Sequence, residues 1–306
     1  MSINRSVFIS SPTDRHLDER RRSVKWAIVG EIERLGYTAT VFGSEESGRG
    51  SPVGMSWSLD AADSVMRRCV GAAILGFPIW TTSEGDKQLA SEYCHYEGAL
   101  ARAYKLPILS VIEEGVEQRV FFNRYAGVEP CSVPAHADEN WVKDSSFQYP
   151  FGVWRRKLEE RRDVFLGYSS GSSATAAKVK QYLEENLGAT VLDWHDFGPS
   201  GSILGRIKEA ASHCSAGVFL FTKDDVIASG EQAVPRDNVV FETGYFMNAK
   251  GEKQVLIILE AGSRIPADLG GKIFVNLADR EDIASVAPDI KHFVEELGMR
   301  SQNETE

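Results

Sequence analysis

AGVFLFTKDDVIASGEQAVPRDNVVFETGYFMNAKGEKQVLIILE, residues 216–260, is the stretch whose reading decides the fold. AGVFLFT (216–222) and QVLIILE (254–260) are continuous apolar runs of strand length, the pattern of strands covered on both faces. Between them a polar segment ends at Pro235 and Arg236, and NVVFETGYFMNA predicts a helix from Asn238 to about Ala249 with Asp237 as its N-cap. Strand, loop, helix, strand is the repeating unit of a parallel sheet.

The same unit continues on both sides. Upstream, DVFLGYSS (163–170) is a strand with its loop, followed by a helix over 174–186 that closes at Gly188. ATVLDW (189–194) is a strand, HDFGPSG (195–201) a loop, and a helix follows from 202 to about 213, capped by Ser202 or Ser200. Downstream, KIFVNL (272–277) and a helix over 281–297 end the series. The first half has the same order: SVFISS (6–11), a charged helix over about 17–35, YTATVF (37–42), a Gly/Ser-rich loop and a helix over 58–69. GAAILGF (71–77), a helix over 90–104 and LPILSVI (106–112) follow. This alternation predicts an α/β fold, two flavodoxin-like parallel-sheet domains in tandem. The segment 113–162 fits neither repeat, and its run VWRRKLEERRD predicts a helical connector. The expected division is an N-terminal α/β domain over 1–150, a connector over 151–162, a second domain over 163–300 and a disordered tail over 301–306.

Composition narrows the functional classes. With 42% hydrophobic and 25% charged residues over 306 positions, the chain is that of a globular protein long enough for two cores. A formal net charge of −10 argues against general nucleic-acid binding, because a polyanion would be repelled. The run Arg20–Arg21–Arg22 sits beside Asp18 and Glu19 and reads as a solvated mixed-charge helix face. No stretch has the length and apolarity of a membrane span, and the N-terminus has no secretory pattern. Cys69, Cys94, Cys131 and Cys214 lack metal-ligand spacing; Cys69 and Cys214 stand where a helix enters a strand and are expected to be buried. A cytoplasmic location is the expectation.

In open α/β sheets, ligands bind beyond the carboxyl ends of the strands. In the second half those loops cover 168–173, 195–201, 223–237 and 261–268. YSSGSS (168–173) precedes a helix, so backbone amides with Ser169 and Ser170 are a candidate phosphate cradle, although Ser/Gly loops are commonly plain turns. Glu242 falls in the second turn of the predicted helix, and Asn238, four residues earlier, shares its face. Most helical glutamates are solvated, but this one lies within VVFETGYF, where a charge is costly unless it faces a cleft or a partner. His195, after Trp194 at a strand end, reads first as a hydrogen-bonded structural residue.

PRDNVVFETGYF (235–246), with VFLFTKDDVIASGEQ (218–232) before it and RIPADLGGKIFV (264–275) after it, resembles the TIR effectors of bacterial antiphage systems of the Pycsar and CBASS type. There PRDNVxFELG recurs; this chain has Thr243 in place of the Leu, which changes the packing behind the glutamate. The resemblance implies a TIR domain that degrades NAD to nicotinamide and ADP-ribose or a cyclic variant, with NAD as substrate and no cofactor; residue spacing gives no metal site. It implies Glu242 as the essential carboxylate; with it Ser169, Ser170, Phe197, Arg236, Asp237 and Asn238 are the candidate ligand-binding residues, Arg236 and Asp237 having an ion pair and a cap as their structural alternative. It also implies a homo-oligomer whose loop 195–201 governs assembly and access to the site, and a cyclic nucleotide or other activating signal; the N-terminal domain is expected to sense that signal or to mediate assembly, and no membrane partner is expected.

SEYCHYEGALARAYKLPIL (91–109) is similar to the E-x-G…GKP phrase of nucleoside deoxyribosyltransferases, although Gly98 directly follows Glu97. Glu97, with Glu92 and His95 on the same helix, is therefore a second candidate pocket. The alternatives that remain are a nucleoside or nucleotide N-glycosidase using Glu97, and a non-catalytic nucleotide-binding module. The plainest reading is a helix packed through Ala99, Leu100 and Ala103, with its glutamates solvated.

Overall fold

The computed structural model describes residues 5–41, 57–83, 85–197, 202–226, 233–266, 269 and 274–298. The Gly/Ser-rich loop before Trp57, the end of the loop 195–201, the stretch 227–232 and the tail 301–306 lie outside the described residues. The chain divides between residues 160 and 161 into two compact units.

The N-terminal unit contains β1 (Ser6–Ser10), α1 (Glu19–Arg34), β2 (Thr38–Val41), α2 (Leu59–Met66), β3 (Gly71–Gly76), a hairpin of β4 (Pro78–Thr81) and β5 (Gln88–Ala90), and α3 (Glu92–Ala103). β6 (Ile108–Glu113), β7 (Cys131–Val133) and α4 (Ser145–Glu159) follow. The main sheet has the order β2-β1-β3-β6-β7, and its pairings are parallel. Alternate residues of β1 divide the core: Val7 and Ile9 pack with Val24 and Ile28 of α1, while Phe8 packs with Met66 of α2 and Cys94 of α3. Asp18 caps α1 by accepting a hydrogen bond from the Arg21 amide.

Two expectations for this unit change. The run read as a connector is the second half of α4, whose Phe147, Phe151, Trp154 and Leu158 are buried in the N-terminal core. Its charged residues mark only one face, and the aromatic face spaced along the same helix is what folds it onto the sheet. The segment 113–162 also supplies β7, a three-residue strand too short for a periodicity signal. Arg20 and Arg21 are not solvated ornaments: both bond the buried Glu113 at the end of β6, at 2.7 and 2.8 Å.

The C-terminal unit contains β8 (Arg162–Gly167), α5 (Ser173–Gln181), β9 (Val191–Asp193), α6 (Ile203–His213), β10 (Cys214–Phe221), a hairpin of β11 (Asp225–Val226) and β12 (Ala233–Val234), and α7 (Asp237–Lys250). β13 (Val255–Glu260), β14 (Phe274–Leu277) and α8 (Ala287–Gly298) complete it. The sheet order β9-β8-β10-β13-β14 repeats that of the first unit, so the protein contains two flavodoxin-like parallel-sheet units in tandem. Val164 and Leu166 belong to the cluster with α5 and α8, and Phe165 to the cluster with α6 and α7. Ser202 caps α6, and Gly188 takes the left-handed conformation (φ 69°) after the α5 segment. α8 begins at Ala287, later than expected, because Ile283–Ser285 forms a separate 3-10 turn before Pro288 at the helix start. The four cysteines are buried and unpaired. No helix among the described residues is long and apolar enough to cross a membrane.

Candidate active site

Each sheet ends, at the carboxyl edge of its first strand, beside a buried glutamate. In the C-terminal unit β10 leads through the β11–β12 hairpin into α7, and the helix places Glu242 in its second turn with 1% of its surface exposed. The Trp194 indole N–H, just beyond β9, donates to Glu242 Oε2 at 3.3 Å. Glu242 Oε1 is buried without a hydrogen-bond partner among the described residues. Burial pushes the Glu242 carboxyl up to about 8, and the bond from Trp194 opposes that rise only in part. The floor of the site is Gly167: a Cβ there would stand 3.2 Å from Glu242 Oε2 and 2.4 Å from the Phe219 ring. Trp194 rests edge-on against Phe165 and beside Phe197, each at 5.6 Å between ring centroids.

The other expected ligand residues differ in depth. Ser169 is buried, its hydroxyl paired with that of Ser172 at 3.1 Å, whereas Ser170 is exposed at the start of a 3-10 turn. Ser169 is thus committed to the turn, and the exposed donor of the pair is Ser170. Phe197 is half-buried against Trp194. Arg236, Asp237 and Asn238 are all exposed at the helix start. Asp237 is not the N-cap: Arg236 occupies that position in extended conformation, and Asp237 is the first helical residue, where its charge complements the helix dipole. Arg236 pairs with Asp225 of the hairpin at 3.4 Å. Asn238 lies one turn before Glu242 on the same face, but no hydrogen bond joins the two. The Thr243 hydroxyl is satisfied by the Val239 carbonyl at 2.7 Å, so the residue standing for Leu is buried without an orphaned group.

The sequence reading missed Trp194, Gly167 and a cluster of Lys223, Glu260 and Arg280. In the sequence Trp194 reads only as the residue before His195, which is itself exposed. Gly167 resembled any glycine at a strand end. Arg280 and Lys223 converge on Glu260 at the end of β13: Arg280 bonds it at 2.7 Å and the Lys223 amide at 2.8 Å. Burial pushes the Glu260 carboxyl up, but the bonds from Arg280 and Lys223 outweigh it and hold the group below its ordinary range. Arg280 also donates to the Gly171 carbonyl at 3.2 Å, tying the β8 loop to this edge. No local pattern announces such a cluster, since its members lie far apart in the chain.

In the N-terminal unit β3 leads through the β4–β5 hairpin into α3, and Glu97 is 4% exposed. The plain reading of solvated glutamates holds for Glu92, which is exposed and accepts from the Trp80 indole, but fails for Glu97. Both Glu97 oxygens are bonded, Oε2 by the Ser10 hydroxyl and Oε1 by the Trp57 indole at 2.7 Å. Burial raises the Glu97 carboxyl, and these two bonds oppose the rise. His95 does not join Glu97: it lies against Phe122, 5.3 Å between ring centroids, with both ring nitrogens buried and unpartnered. Burial lowers its pKa, and Arg119 acts in the same direction. Gly98 has a packing reason, because a Cβ would stand 2.6 Å from the Phe121 ring. Among the described residues no group of three His, Cys, Asp or Glu side chains is placed to hold a metal.

Comparison with known proteins bears on the C-terminal unit. Residues 163–279 match the family described as CAP12/Pycsar effector protein, TIR domain. A CD-NTase-associated protein 12 of Flavobacterium daejeonense is 33% identical over 33% of this chain and 34% of its own length. The Pycsar effector protein BcPycTIR of Burkholderia cepacia is 27% identical over 46% of this chain and 53% of its own. PaPycTIR of Pseudomonas aeruginosa is 28% identical over 40% and 47%, respectively. The chain thus spans between a third and about half of the length of these relatives.

Proposed function

From the premise that residues 163–279 are a TIR domain of the CAP12/Pycsar effector kind, we propose that this domain hydrolyses NAD to nicotinamide and ADP-ribose as the output of an antiphage effector. The observation that carries the reading is Glu242: a buried carboxylate at the carboxyl edge of the sheet, with one oxygen bonded to Trp194 and the other left free. Water supplies the new oxygen at the ribose C1′ and gives up one proton to solvent, the C1′–N bond breaks, and its electron pair leaves with nicotinamide, which departs neutral from a cationic centre. Leaving-group protonation is therefore unnecessary, and the demand falls on stabilising an oxocarbenium-like sugar and holding its hydroxyls. A carboxylate meets both needs, by charge and by accepting hydrogen bonds.

The raised pKa fits this task. Without ligand the buried Glu242 resists ionisation, and an incoming cationic nicotinamide ring favours the charged form. The carboxylate then acquires its charge beside the positive group it must stabilise. Ser170 at the β8 loop and the helix start at Arg236–Asn238 are the exposed groups for the rest of the dinucleotide. The names of the relatives support activation by a nucleotide signal; reception of that signal by the N-terminal unit and turnover in a homo-oligomer are further parts of the proposal.

The test is NAD consumption by the purified chain with and without a panel of cyclic nucleotides, wild type against Glu242→Gln. Loss of turnover in the variant is expected; equal rates would remove Glu242 from the chemistry. A chain that consumes no NAD with any member of the panel would overturn the hydrolase reading as stated.

A further inference from the structure

The two glutamates stand at one position in two copies of the same design. Each is the sixth residue of its helix, counting Glu92 and Asp237 as first. Each helix follows the third strand of its main sheet through a short antiparallel hairpin. Each carboxylate accepts from an indole that lies beyond the second strand, Trp57 or Trp194. The fourth strands match as well, ending in the buried, arginine-bound Glu113 and Glu260.

The first strands supply the difference. VFIS (residues 7–10) and VFLG (residues 164–167) end opposite equivalent partners, Ser10 against Ile74 and Gly167 against Phe219. Ser10 donates its hydroxyl to Glu97, which completes the bonding of that carboxylate. Gly167 has no side-chain donor; its empty side faces Glu242 Oε2, which accepts from Trp194 alone among the described residues, and Oε1 is buried without a partner. The larger Phe219 fits because position 167 has no side chain.

We propose that Gly167 is a positioning residue by absence: by offering no hydroxyl it leaves the Glu242 carboxylate one donor short of Glu97, with capacity to accept from a substrate hydroxyl, while Ser10 latches the equivalent Glu97, so that only the C-terminal copy of a duplicated carboxylate site can engage substrate. The substrate class is a pentose hydroxyl next to the bond under attack, and in this respect the proposal rests on the hydrolase reading. A competing explanation makes Gly167 only the space that Phe219 requires. The two separate when the N-terminal pair is transplanted.

The experiment uses the full chain carrying Gly167→Ser with Phe219→Ile, against Phe219→Ile alone, with folding checked by circular dichroism. The indole 15N–1H resonance of Trp194, assigned with Trp194→Phe, follows Glu242 through a pH titration, and NAD turnover is measured in parallel. Against the single variant, the double variant should titrate at lower pH, because a hydroxyl donor favours the carboxylate, and kcat should fall by at least about tenfold. Identical titration and kcat in the two proteins would overturn the proposal. Ser10→Gly adds no atoms and provides a second arm: the Trp57 indole should report a Glu97 titration moved to higher pH, and no movement refutes the latch. If the wild type consumes no NAD, the titrations still decide the roles of Gly167 and Ser10, and only the assigned reaction fails.

Discussion

In the N-terminal unit a buried glutamate meets a serine hydroxyl and an indole; in the C-terminal unit its counterpart meets an indole and a glycine. Burial is nearly the same, 4% exposure for Glu97 and 1% for Glu242, so desolvation does not separate them. What separates them is hydrogen-bonding capacity left over. A carboxylate whose oxygens are both occupied is a satisfied core group, and one with a vacant oxygen retains part of the cost of burial until a ligand arrives. An apolar setting around a glutamate thus identifies a costly residue, and the partner count distinguishes a strut from a site.

The largest effect that would break this comparison is catalytic. Glu242→Gln should lower NAD turnover by roughly two to three orders of magnitude, the size seen when a preorganised charge-stabilising group is removed. Glu97→Gln should leave turnover within about threefold, because the N-terminal copy has no open oxygen for a substrate. A comparable loss from Glu97→Gln under identical assay conditions would make the two sites one functional system and end the contrast.

The next effect is on stability. Burial raises both carboxyls above their unfolded value, so between that value and the folded one the native state binds more protons than the unfolded state. Stability is then fully present below the ordinary glutamate range and is lost as pH rises, for Glu242 through about 8. The Glu242 contribution should be on the order of a few kcal/mol. Urea midpoints at mildly acidic and mildly alkaline pH should show this fall in wild type, and Glu242→Gln should flatten it. A fall as steep in the variant as in wild type would place the titrating group elsewhere.

The parts of this picture that were legible in the sequence are those with local signals. VFLFT and VLIILE are apolar without interruption because their strands are covered on both faces, and Glu242 stood out because it interrupts such a run. β7 was not legible, since three residues carry no period, and α4 was misread because the charges of WRRKLEE drew attention from Phe147, Phe151 and Trp154. The latch was illegible for a different reason. Ser10 and Glu97 are 87 positions apart, Trp194 and Glu242 are 48 apart, and only strand register brings them together. The repeat itself did contain a clue, VFIS against VFLG, whose last residues prove to face the two glutamates.

The indoles test whether the shared half of the design is equally important on both sides. Among the described residues, Trp194→Phe removes the one donor to Glu242, and Trp57→Phe removes one of two donors to Glu97. Each should cost about 1–3 kcal/mol of stability above the folded pKa, where the carboxylate is charged, and less below it. Trp194→Phe should also move the Glu242 titration upward, because the lost bond favoured the charged form. Equal turnover and an unmoved titration in Trp194→Phe would reduce the indole to packing against Phe165.

Arg236→Ala is expected to have the smallest effect and separates the rim of the site from its centre. Arg236 is exposed, and its ion pair among the described residues, to Asp225, spans 3.4 Å between side chains that are each about half exposed. Such pairs contribute roughly 0–1 kcal/mol, so the urea midpoint should shift little. The residue also stands at the N-cap of α7, where a guanidinium faces outward beside the exposed Asp237 and Asn238. If it contacts the dinucleotide, its loss should raise KM for NAD several-fold while leaving kcat near wild type, the signature of uniform binding. A fall in kcat with KM constant would mean that Arg236 acts on the transition state with Glu242, and the site would then extend from the buried carboxylate to the exposed helix start.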